Sequence, residues 1–72
     1  MYIDEDVKLR DDLPEQLQNE FAQLQKYYDA DDWFNFDLFL EGTLVRAKSF
    51  YYAGKISRAD LDNINLKYGI SY

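Results

Sequence analysis

Apolar and polar positions divide the chain into three helical stretches, and the middle one dominates. From Asp31 to Gly54 the sequence reads DDWFNFDLFLEGTLVRAKSFYYAG, the longest run without a strong breaker. It carries Trp33, Phe34, Phe36, Phe39, Phe50, Tyr51 and Tyr52, with Tyr28 on the turn just before it. On a helical wheel Trp33, Phe36, Leu40, Thr43, Leu44, Ala47 and Tyr51 form one broad face, expected to receive the other helices. Phe34, Leu38, Val45 and Tyr52 form a second, narrower line. Asp37, Glu41 and Lys48 fall between these faces, and Asn35, Gly42, Arg46 and Ser49 fall opposite the first. The pattern predicts a helix over about 32–53, roughly 33 Å long at ~1.5 Å per residue. Gly42 weakens it by about 1 kcal/mol relative to Ala and leaves room for another backbone to approach closely.

Upstream, Leu13, Leu17, Phe21, Leu24 and Tyr28 recur in steps of three and four, a single stripe predicting a helix over about 13–28. Gln16, Gln18, Asn19, Gln23 and Gln25 cover its other side. Asp12 with Glu15 three residues later reads as a capping box, and Pro14 suits the first turn. In the following Asp29-Ala30-Asp31-Asp32, Asp29 is expected to cap the central helix, with Tyr28 and Trp33 as a hydrophobic staple.

Downstream, Gly54 is placed to end the central helix in the left-handed conformation. Ser57 then caps a third helix over about 58–68, with Asp60 completing the box and Ile56 and Leu61 as staple. That helix is expected to bury Leu61, Ile64 and Tyr68, with Asn65 at its edge, to stop at Gly69, and to be followed by a docking tail at Ile70 and Tyr72. Residues 1–11 show only weak alternation and predict an extended arm held down through Tyr2, Ile3 and Val7. The fold class expected is all-α: one small three-helix domain over 1–72, with a long central helix, short loops and an extended N-terminal arm.

Composition narrows the functions available. The chain has 72 residues and contains neither Cys nor His, which removes disulfides, thiolate metal sites and the usual general base. At this length only about 60% of the unfolded surface is buried, so the core is marginal. No signal peptide is evident and no stretch approaches the ~20 apolar residues of a membrane span. A cytoplasmic protein with no membrane partner is the expectation. The net charge is −6, and residues 1–41 hold twelve acids against three bases. Residues 42–72 hold two acids against five bases. The negative balance argues against direct nucleic-acid binding.

Candidate chemistry is thin. Asp37 and Glu41 lie one helical turn apart, but no His accompanies them for a di-metal site, and a solvated stripe explains them. A calcium loop counted from Asp29 would need Gly and Glu where Phe34 and Leu40 stand. Gly54-Lys55-Ile56-Ser57 lacks the first Gly of a phosphate loop. The stretch from Ile56-Ser57-Arg58-Ala59-Asp60-Leu61 through Tyr68-Gly69-Ile70-Ser71 resembles the first helix and turn of a helix-turn-helix DNA reader. In that family a recognition helix follows the turn, and none follows here before Tyr72. No enzyme activity, cofactor, metal or small-molecule substrate is expected.

The aromatic surplus is the best functional clue. One Trp, seven Tyr and five Phe make up 18% of the chain, more than three short helices with one seam can cover. The line Phe34, Leu38, Val45 and Tyr52, with Glu41 and Lys48 at the alternate seam positions, is the expected site for a protein partner or a second copy. If two central helices crossed antiparallel near Val45, Glu41 of one would meet Lys48 of the other. The alternative is an acidic patch of Asp29, Asp31 and Asp32 that imitates phosphates and inhibits a nucleic-acid-binding protein. In size and charge the chain is similar to small acidic inhibitors from phages and mobile elements.

Overall fold

The computed structural model describes residues 3–68. Three helices follow one another: α1 Glu15–Asp29, α2 Trp33–Tyr52 and α3 Arg58–Lys67. The described residues are 68% helical and contain no strand. Tyr2, Gly69, Ile70 and Tyr72, for which the sequence predicts docking and stop roles, lie outside the described residues. α1 and α3 each pack on α2, which at about 30 Å nearly fills the 33 Å long axis of the molecule.

The expected stripes form the core, which comprises Leu13, Leu17 and Leu24 of the first stripe, Phe36, Leu40 and Ala47 of α2, and Ile56, Leu61, Ile64 and Tyr68. Phe21 reaches Tyr68 by ring stacking at 5.2 Å. Ile3 is also buried, and the Asp4 amide donates to the Lys67 carbonyl at 2.7 Å. The core arc of α2 takes in the expected face, with Leu44 and Tyr51 packed against it, and extends past that face on one side. Phe39 and Phe50 pack against it as half-buried rings, whereas Trp33 stays 40% exposed at the helix start. On that side Arg46 reaches Glu20 of α1 instead of open solvent.

Both interhelical turns end a helix in the same way. After α2, the Gly54 amide donates to Tyr51 O and the Lys55 amide to Phe50 O, with Gly54 at φ 75°. After α1, the Asp31 amide donates to Tyr28 O and the Asp32 amide to Tyr27 O, with Asp31 at φ 55°. Each is a Schellman ending, which needs a left-handed residue just past the helix. Gly54 accepts that conformation freely, while Asp31 accepts it at a cost. Asp31→Gly is therefore expected to stabilise the fold by about 0.5–1 kcal/mol. Gly54→Ala, whose added methyl meets nothing within 4 Å, is expected to destabilise it by about 1 kcal/mol through backbone strain alone. Urea unfolding of the two variants against the wild type checks both signs.

The caps divide. Ser57 and Asp60 form the expected capping box: the Asp60 amide donates to Ser57 Oγ at 3.1 Å and the Ser57 amide to Asp60 Oδ2 at 2.9 Å. Asp12 does not cap α1, because that helix starts at Glu15, behind Pro14, with no side-chain cap. Asp29 does not cap α2 either. It is the last residue of α1, and Asp32 takes the cap, accepting from the Asn35 amide at 3.3 Å and from Asn35 Nδ2 at 2.7 Å. The Tyr28–Trp33 contact nevertheless forms, edge to face at 5.5 Å.

Candidate protein interface

α2 is apolar on two opposite sides. Its four buried residues are Phe36, Leu40, Thr43 and Ala47. The centre of the Phe34, Leu38, Val45 and Tyr52 line lies about 165° around the helix from them. Its members are exposed by 73%, 55%, 66% and 78% respectively. The other exposed large apolar side chains among the described residues, Trp33 at 40% and Leu66 at 52%, are less exposed than any of the four. The line lies outside the core; within the chain Tyr52 meets the ring of Tyr51 at 5.6 Å and Val45 borders α3. The line runs about 27 Å along a rigid helix, and Glu41 and Lys48 stand exposed on the flank nearer α3. On that flank a groove of about 270 Å³ separates α2 from α3, lined by Leu44, Val45, Lys48, Leu61 and Asn65.

The opposite flank of α2 is fixed by a network that the sequence reading missed. Glu20 of α1 is buried, and Arg46 donates to it through Nε at 2.5 Å and Nη2 at 2.6 Å. The fully buried Thr43 hydroxyl donates to the same carboxylate at 2.6 Å, and Gln16 Nε2 at 3.3 Å. Burial pushes the Glu20 carboxyl up, but the bonds from Arg46 and Thr43 and the Arg46 charge outweigh it and hold it below the usual 4.5. Gly42 has its explanation here. A Cβ at that position would stand 2.9 Å from Arg46 Nη2, so the missing side chain makes room for the guanidinium and not for another backbone. A signal was present in the sequence: Glu20 lies three residues past Leu17 and four before Leu24, within the stripe, and a carboxylate there calls for a cation.

A second missed pair anchors the N-terminal segment. Arg10 donates to Asp60 through Nε at 3.3 Å and Nη2 at 2.9 Å, so Asp60 serves both the cap and the arm. Hydrogen bonds within the Ser57 cap hold its carboxyl below the usual 3.8, with Arg10 assisting.

The acidic alternative is partly committed to the turn. Asp29 accepts from Gln25 Nε2 at 2.9 Å, Asp31 forms the left-handed corner, and Asp32 is the cap. Among the described residues no three carboxylates converge on a metal-sized space, and no helix is long and apolar enough to cross a membrane. No family model, curated protein or solved structure matches the chain.

Proposed function

We propose that this chain is a non-enzymatic association module that binds a protein surface, a partner or a second copy, through the outward face of α2. The observation that carries the reading is the exposure, at 55–78%, of four apolar side chains in one line on a rigid helix. Solvating such a line gains nothing for the fold; an apolar patch of this kind with a charged rim marks an interaction site. Glu41 and Lys48 supply that rim. A cytoplasmic setting agrees with a chain that has no Cys. The acidic inhibitor is the weaker reading, since Asp29, Asp31 and Asp32 already have structural work to do.

A pair of titrations followed by amide NMR tests the assignment. As protein concentration rises, shift changes are expected along the outward positions of residues 34–52. A basic peptide is expected to leave Asp29–Asp32 nearly unmoved at physiological salt. Shifts confined to the Asp29–Asp32 turn on adding that peptide would favour the inhibitor reading.

A further inference from the structure

We infer that the occupant of the outward face is a second copy of this chain, with the two α2 helices antiparallel about a two-fold axis at the level of Thr43. The inference rests on the association reading above and goes further by fixing partner and register. The seam residues are Phe34, Leu38, Glu41, Val45, Lys48 and Tyr52, alternating in steps of four and three as two-helix packing requires. Residue 43 is the midpoint of 34 and 52, of 38 and 48, and of 41 and 45. One axis therefore sets Phe34 against Tyr52 of the second copy, Leu38 against Lys48, and Glu41 against Val45, with no seam residue left over. Thr43 itself is fully buried on the core side, so the axis crosses the opposite, free side of α2.

Charge selects this arrangement. Glu41 and Lys48 lie on the same flank of the seam, towards α3. A two-fold across the pair keeps that flank on one side in both copies. Each Glu41 then lies one layer from Lys48 of the other copy, about 4.5 Å along the axis, and the pairing occurs twice. A parallel pair in register would set Glu41 against Glu41 and Lys48 against Lys48, which is repulsive. One helix pair of this length falls near or below the roughly 1,200 Å² that separates stable from transient interfaces, so the dimer is weak and concentration-dependent.

The chain has no Cys, so introduced thiols map the register directly. Oxidising a mixture of Phe34→Cys and Tyr52→Cys chains is expected to join one chain of each kind, with little disulfide between two Phe34→Cys chains. Separately, Glu41→Lys and Lys48→Glu are each expected to weaken self-association by about tenfold, and the double exchange to restore it. A disulfide between two Phe34→Cys chains as the main species would overturn the antiparallel register. So would a double exchange no better than the single ones. A strict monomer overturns self-association, and Val45→Cys then separates the two levels of the account. Thiol labelling at the rate of an open side chain leaves the face free for another protein, whereas protection in the monomer removes the association reading as well.

Discussion

Phe36→Ala is expected to cost about 3–5 kcal/mol and to leave much of the chain unfolded at physiological temperature. Phe36 is fully buried, and its ring sits 6.0 Å from Tyr28 and 6.1 Å from Trp33. It joins the Schellman turn after α1 to the α2 core, so its loss opens a cavity where two elements meet. A domain of this size has only about 4–11 kcal/mol of stability to lose. Phe34→Ala is the matched control. The same ring, two residues earlier and 73% exposed, is expected to change stability by no more than about 0.5 kcal/mol. Thermal unfolding followed by circular dichroism measures both. Equal losses would show that the two faces of α2 are assigned wrongly.

Glu20→Ala is expected to cost about 2–3 kcal/mol. Breaking a fully buried ion pair costs ~3–5 kcal/mol because an uncompensated charge stays inside. Here the Arg46 side chain is 39% exposed and can turn to water, which lowers the figure. The buried Thr43 hydroxyl loses its acceptor and adds to it. A double-mutant cycle with Arg46→Ala isolates the pair. The pH dependence has a definite sign. The folded carboxyl titrates below its usual 4.5, so its contribution is complete above the unfolded value. It is lost as pH falls through the lower folded value. Acid unfolding of Glu20→Gln is therefore expected to be shallower than that of the wild type below about pH 4.5. The same network makes Gly42→Ala close to neutral. The ~1 kcal/mol gained in helix propensity is offset by pushing Arg46 off Glu20.

The sequence made helices legible where one signal had one reading. Ser57 and Asp60 flank an apolar start, Gly54 ends an apolar run, and the Leu13–Leu24 stripe has no competing period. The exposed line of α2 was legible because seven aromatic residues in one helix exceed a single seam. Caps failed where several carboxylates competed. Asp29, Asp31 and Asp32 are equivalent by composition, and only the backbone turn after α1, with Asp31 left-handed, makes Asp32 the cap. Glu20 within the stripe called for a cation, but which one was hidden because wheel positions fix faces only to within a residue or so. Widening the core arc of α2 by Phe39 and Phe50 turned a solvent-side Arg into an α1 contact. The Arg10–Asp60 bond spans 50 residues, which no local pattern encodes.

Light scattering across a concentration series, at low and high salt, tests the central claim most directly: that the outward face of α2 joins two copies. The molar mass is expected to climb from 8.6 kDa towards double that value, with salt weakening the association a few-fold, because it screens the exposed Glu41–Lys48 pairs and leaves the apolar Phe34–Tyr52 layers at both ends intact. Val45→Asp, which places a charge mid-seam, is expected to hold the mass at 8.6 kDa without altering thermal stability. A wild-type chain that stays at 8.6 kDa throughout, or a Val45→Asp chain that climbs with it, would contradict the account.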